Sequence, residues 1–303
     1  MFKRSLLSII LLTIALLHAL AQCPGKVTSL HFRMIQQSLV VVPVMINHSG
    51  PYDMMVDTGA QVTAIDPALA TELNLSTTAT AGVTGAGTFE RDALVRIELI
   101  QTGSQEVQGA LAVVENLRQL QAADRNIRGI LGSSFLGNFD LLLDYERGVL
   151  CLDGEERLQP KMKGEHIALI NSAESDGSLP SNGRFVIAMK LSGGKSRDLH
   201  MILDSGSNAA LVFDRAAIPA DFSSAKAVLK RTSANGVEQR FAVLTTPDIQ
   251  IGKHLFRRIQ FVTPMDRAKE TRKLQEDGLL PTVLFRSIYL NHKHAYAVIE
   301  PWY

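Results

Sequence analysis

Met54-Met55-Val56-Asp57-Thr58-Gly59-Ala60 and Met201-Ile202-Leu203-Asp204-Ser205-Gly206-Ser207 decide how this chain is read. Each is an apolar run that carries an Asp, a small hydroxyl residue and a Gly onto a turn. From average composition, an Asp-(Ser/Thr)-Gly triplet arises by chance in roughly one chain of this length in seven, so one copy says little. Two copies with matched surroundings say much more.

The surroundings do match. Leu39 opens an apolar strand 18 residues before Asp57, and Phe185 opens one 19 before Asp204. The glycine-rich tip Thr84-Gly85-Ala86-Gly87 begins 27 residues after Asp57, and Ala234-Asn235-Gly236 begins 30 after Asp204. Gly129-Ile130-Leu131-Gly132 begins at +72, and Gly278-Leu279-Leu280-Pro281 at +74. A repeat of specific residues at near-constant spacing predicts an internal duplication.

Between these landmarks the pattern is β. Leu39 to Ile46 is a β-branched apolar run closed by Asn47-His48-Ser49-Gly50-Pro51, and Tyr52 to Val56 forms the next strand. Asp66 followed by Pro67 predicts a short helix with Asp66 as its N-cap. Leu94–Ile100, Val107–Val114, Phe139–Leu143 and Leu150–Leu152 read as further strands, with a hairpin tip over residues 81–88. Composition turns polar and Gly/Ser/Pro-rich before residue 183, which marks a linker. The predicted organisation is an N-terminal lobe over 24–153, a linker over 154–182 and a C-terminal lobe over 183–303.

The N-terminus reads separately. Lys3 and Arg4 precede the apolar run Leu6–Leu17, and Ala19-Leu20-Ala21 offers a small-x-small cleavage site, so residues 1–21 are expected to be a signal peptide cut after Ala21. The run is short for a membrane span, which leaves an uncleaved anchor as the lesser alternative. Leu20-Ala21-Gln22-Cys23 also resembles a lipoprotein box, but Gln22 is a poor residue before a modified Cys, so a lipid anchor at Cys23 is the weaker reading. A secreted or periplasmic protein is expected.

Removing residues 1–21 takes away Lys3 and Arg4 and no acid, which turns the formal net charge from +1 to −1. Nothing in that balance points to a nucleic-acid partner. Cys23 and Cys151 are the only cysteines, so pairing is open to them but the fold must rest on its core. Asn47-His48-Ser49 and Asn74-Leu75-Ser76 are glycosylation sequons by pattern alone.

If the two halves pack about a pseudo-two-fold axis, Asp57 and Asp204 meet. Two carboxyls that close share one proton, so one serves as base and the other as acid without a metal or cofactor. Gly59 and Gly206 would let the turns approach closely, and Thr58 and Ser205 would bond across the axis.

These residues resemble an aspartic peptidase of the pepsin and retropepsin type. Asp57-Thr58-Gly59-Ala60 with Thr63, Ile65, Ala70, Leu73 and Leu75 resembles the single-lobe retropepsin-like pattern of bacterial secreted proteins. Gly129-Ile130-Leu131-Gly132 resembles the family's apolar-apolar-Gly segment that backs the catalytic loop. The resemblance implies an all-β, two-lobed pepsin-like fold, each lobe a small closed barrel with a short helix. It also implies a peptide or protein substrate, a monomer, and a substrate-binding flap at Thr84, Gly85, Ala86 and Gly87. Three features depart from the family: no Tyr lies on the flap, Pro281 stands where the first half has Gly132, and no digestive-enzyme propeptide or disulfide set is present.

Other constellations read as ordinary structure. His292 and His294 alternate on one strand face but have no companion ligands, so a solvated strand end is preferred to a metal site. Ser133-Ser134 lacks the context of a serine nucleophile. Arg257-Arg258 and the Lys269–Lys273 stretch read as solvated faces, and Trp302 as core or edge packing. Two alternatives to a two-lobed peptidase stay open: a catalytically impaired peptide-binding protein on the same fold, and a first half that works as a homodimer.

Overall fold

The apolar β-branched runs do form strands. The computed structural model describes residues 22–84, 89–171, 184–192, 197–218, 225–232, 238–245, 248–265 and 276–302. The expected signal peptide over 1–21 lies outside them, as do the hairpin-tip residues 85–88 and 233–237.

The first half begins with β1 (Ser29–His31), β2 (Arg33–Ile35), β3 (Leu39–Ile46) and β4 (Ser49–Val56). Then come β5 (Thr63–Ile65), β6 (Thr77–Thr84), β7 (Phe89–Thr102) and β8 (Gln105–Val114). It ends with β9 (Ile127–Leu131), β10 (Asp140–Asp144) and β11 (Val149–Asp153). Three short helices interrupt the strands: α1 (Pro67–Glu72), α2 (Arg118–Ala123) and α3 (Ser133–Leu136). In α1 the Asp66 carboxylate accepts the Ala68 and Leu69 amides, satisfying two N-terminal donors that the helix itself leaves unpaired.

The second half holds β12 (Ile167–Asn171), β13 (Phe185–Leu191), β14 (Leu199–Asp204) and β15 (Ala210–Val212). The hairpin β16 (Ala225–Thr232) and β17 (Glu238–Thr245) follows, then β18 (Ile249–Ile251), β19 (His254–Phe256) and β20 (Gln260–Pro264). The chain closes with β21 (Gly278–Pro281), a 3-10 turn over Thr282–Leu284, β22 (Phe285–Asn291) and β23 (Tyr296–Pro301). The fold is all-β.

One pairing scheme appears in both halves. Parallel to β4 runs β9, which is antiparallel to β5, and β5 is in turn parallel to β8. Likewise β14 is parallel to β21, β21 antiparallel to β15, and β15 parallel to β20. In the first half β3 also pairs with β7, so the path β3-β4-β9-β5-β8-β7 returns on itself. Among the described residues the second half has no equivalent closing pair, and its path runs open to β16.

The halves are joined by β10 against β22, with Leu142 opposite Tyr289. Around that seam one core cluster takes Val40, Val42, Val44 and Ile46 from β3 together with Leu203, Phe285 and Ile288. Leu39 and Val41, on the other face of β3, pack with Met55 and Ile130 in a second cluster. β3 is therefore buried on both sides over Leu39–Val42, which explains the unbroken apolar run there, whereas farther on Pro43 is exposed and Met45 half-buried. Each fully buried Val contributes about 1.5–3 kcal/mol.

The stretch expected as a linker over 154–182 is not all connection. β12 lies inside it and pairs with both β13 and β23, tying residues 167–171 into the sheet. Cys23 and Cys151 form a disulfide that spans 128 residues of sequence. The N-terminal segment is thus fastened to β11, where β1 also pairs. Trp302 sits at an edge, half exposed, with its indole N–H donating to the Val283 carbonyl at 3.0 Å.

Candidate active site

β4 and β14 each run out of the core and deliver an Asp onto a turn. The Asp57 amide donates to the Leu131 carbonyl at 3.0 Å, so β9 backs the first turn from below. Asp204 is held in register opposite Pro281 of β21. The segment 129–132, expected behind the first turn, and its counterpart 278–281 therefore occupy equivalent places.

The turns interlock through their hydroxyls. Thr58 Oγ1 donates to the Leu203 carbonyl at 2.7 Å and accepts the Ser205 amide at 3.0 Å. Ser205 Oγ donates to the Val56 carbonyl at 2.8 Å and accepts the Thr58 amide at 3.1 Å. Both hydroxyl residues are fully buried, so these four bonds satisfy groups that water does not reach.

The glycines permit the approach. A Cβ on Gly59 would lie 2.8 Å from the Asp204 carboxyl carbon, and one on Gly206 would collide with the Asp57 carboxylate. No side chain fits at either position.

The two carboxyls are hydrogen-bonded to each other. Asp57 Oδ1 also accepts the Gly59 and Ala60 amides, both at 2.9 Å. Asp204 Oδ1 accepts the Gly206 amide at 2.7 Å. Burial pushes both carboxyls above the usual range. For Asp57 the push is opposed by the bond from Asp204, by its two amides and by the charge of Arg184. For Asp204 it is reinforced by the neighbouring Asp57 charge, which holds it well above the ordinary value. Two carboxyls this close do not both ionise readily, so they hold one proton between them, and the titration steps belong to the pair.

Of the other residues singled out in the sequence, Thr84 ends β6, whereas Gly85, Ala86 and Gly87 lie outside the described residues. The His294 ring lies 3.4 Å from Glu156, and the His292 ring meets Phe185 edge-on. Ser134 Oγ donates to Thr63 Oγ1 and accepts the Thr63 amide, both at 3.0 Å, a structural bond behind the first turn.

Two features of the site had no signal in the sequence. Arg184 reaches Asp57 with its charge and pairs with the buried Glu276 at 3.5 Å. Tyr145, from the first half, bonds Thr282 of the second at 2.6 Å. Neither Arg184 nor Tyr145 belongs to a motif, and each meets its partner only through the tertiary fold.

Residues 42–135 match the aspartyl protease family model. The match takes in Asp57-Thr58-Gly59 and β9 and stops short of Asp204. It supports an aspartic peptidase family and protease function in general. No curated protein matches the chain.

Proposed function

We propose that this chain is a secreted or periplasmic aspartic endopeptidase whose two duplicated lobes contribute one carboxyl each, Asp57 and Asp204. The observation that carries the reading is the meeting of the two carboxyl turns, each glycine packed against the other turn's carboxyl and both turns locked together by Thr58 and Ser205. The disulfide favours an oxidising compartment and so agrees with a cleaved leader.

In this reading a water lies against the pair. Asp57 takes its proton as the oxygen attacks the peptide carbonyl carbon, while Asp204 gives its proton to the carbonyl oxygen. The resulting tetrahedral diol collapses when one hydroxyl returns its proton to Asp204 and the proton on Asp57 passes to the leaving nitrogen. The C–N bond breaks, and both carboxyls return to their starting states. An extended peptide would lie across the turns, its backbone paired with the glycine-rich stretch Thr84-Gly85-Ala86-Gly87 that the family resemblance makes a flap.

The bonds between Thr58 and Ser205 form within one chain, which favours a monomer over a homodimer of first halves. Pro281 is the observation behind the second reading, a peptide-binding protein without turnover. The deciding experiment incubates the chain from Gln22 with a mixed peptide library between about pH 3 and 7 and reads new termini by mass spectrometry. Cleavage by wild type that is lost in both Asp57→Asn and Asp204→Asn supports the two-lobed peptidase. Cleavage that survives Asp204→Asn overturns the two-carboxyl mechanism, and silence of wild type at every pH favours the binding protein.

A further inference from the structure

The two carboxyl turns are not backed in the same way. In the first half the register sets Val56 opposite Leu131, so Asp57 comes next to Gly132. The Gly132 amide donates to Thr63 Oγ1 at 3.3 Å, and the next amide, on Ser133, donates to the Ala60 carbonyl at 2.9 Å. These bonds tie the backing segment to the Asp57 turn and to β5.

In the second half Pro281 stands opposite Asp204, and proline has no amide proton. The pairing of β15 with β21 sets Leu211 against Leu279, as that of β5 with β9 sets Ala64 against Ile130, so Ala210 occupies the place of Thr63. Donor and acceptor are therefore both missing from the second half.

Another contact takes their place. Tyr145 follows β10 and is buried; its hydroxyl lies 2.6 Å from the hydroxyl of Thr282, the fully buried residue after Pro281. The Tyr145 amide donates to the Arg286 carbonyl at 2.9 Å. One residue of the first half thus holds the first residue of the 3-10 turn Thr282–Leu284 through its hydroxyl and the start of β22 through its amide, directly behind Asp204. Its ring is fixed edge-on against Phe32 at 5.9 Å between centroids.

We propose that Tyr145 is a positioning residue for Asp204, holding the Pro281-Thr282 segment through its hydroxyl in place of the amide tie that Pro281 cannot make. This inference rests on the reading of Asp57 and Asp204 as the carboxyl pair of a peptidase. Burial, reinforced by the nearby Asp204, holds the Tyr145 phenol above its usual range. Without the grip, the turn behind Asp204 loosens and admits water to the carboxyl.

The test uses the chain from Gln22 as wild type, Tyr145→Phe, Thr282→Val, Thr282→Ser and the double variant Tyr145→Phe/Thr282→Val. Tyr145→Phe keeps the ring and removes only the hydroxyl. It is expected to lower kcat about tenfold while KM stays within about twofold. Thr282→Ser keeps the hydroxyl and retains wild-type kcat, and the double variant falls no further than either single loss, since both remove one bond.

A second readout does not depend on turnover: carbon-13 titration of the Asp204 carboxyl. In Tyr145→Phe it moves down toward the ordinary carboxylate range as water relieves the burial. A wild type that cleaves peptides, with kcat and titration unmoved in Tyr145→Phe and only the melting temperature lowered, overturns the positioning role and leaves the peptidase standing. A wild type that cleaves nothing while the titration still moves leaves the positioning role standing and removes the peptidase. Silence in both overturns both.

Discussion

Thr58 and Ser205 exchange the same pair of bonds in opposite directions, each hydroxyl donating to a carbonyl of the other half and accepting the other's amide. The site is therefore rigid because of four bonds between segments 147 residues apart, not because either turn is stiff alone. Ser205→Ala removes two of them and leaves the Thr58 amide and Val56 carbonyl buried and unpaired. Each such group costs about 1–3 kcal/mol. Urea unfolding should show a loss of at least about 2 kcal/mol for Ser205→Ala, and little change for Ser205→Thr, which keeps the hydroxyl. Equal midpoints for wild type and Ser205→Ala would contradict this account of the interlock.

A methyl group at Gly206 has nowhere to go but into the Asp57 carboxylate. Gly206→Ala should therefore push the carboxyls apart, and a displacement near 1 Å costs about 100-fold in rate. The measurement is kcat on a peptide cut by wild type, beside circular dichroism to show that the sheet persists. Full activity in Gly206→Ala would mean that the turns do not need this approach for turnover.

Much of this arrangement was legible beforehand. The Asp-(Thr/Ser)-Gly turns, the strand before each and the apolar segment behind each are local patterns, and the structure places them at equivalent positions in the pairing scheme. Asp66 and Pro67 announced α1 because a cap and a helix-compatible proline are adjacent in sequence. What escaped had no local mark. α2 has Leu117, which makes no capping bond, at its N-cap position, and its six residues are too few to show a period. β12 is five residues whose partners lie in β13 and, far along the chain, in β23, so its surroundings read as linker. The bond from Tyr145 to Thr282 crosses 137 residues and follows from packing at the seam.

The disulfide gives a third prediction. It closes a loop of 128 residues, and by chain entropy such a closure stabilises the folded state by up to about 5 kcal/mol. Cys23→Ser/Cys151→Ser should unfold at distinctly lower denaturant than the oxidised wild type. Reduction of wild type should reproduce that shift. An unchanged midpoint would show that the N-terminal segment is held by β1 and its packing alone.

Protonation of the carboxyl pair sets a pH dependence whose sign is fixed. Asp57 and Asp204 are both raised above the ordinary value of 3.8, by burial first. Between the ordinary and the raised values the folded chain binds more protons than the unfolded one, so folding stability falls as pH rises through that window. The contribution is complete below the ordinary value and is lost above the raised one. Asp204→Asn keeps a neutral hydrogen-bond donor and removes the group that burial most resists charging. It should be more stable than wild type at neutral pH and indistinguishable near about pH 3, while peptide cleavage is lost throughout. Urea midpoints of the two proteins across that range test this, and a constant difference with pH would show that Asp204 does not titrate as its burial beside Asp57 requires.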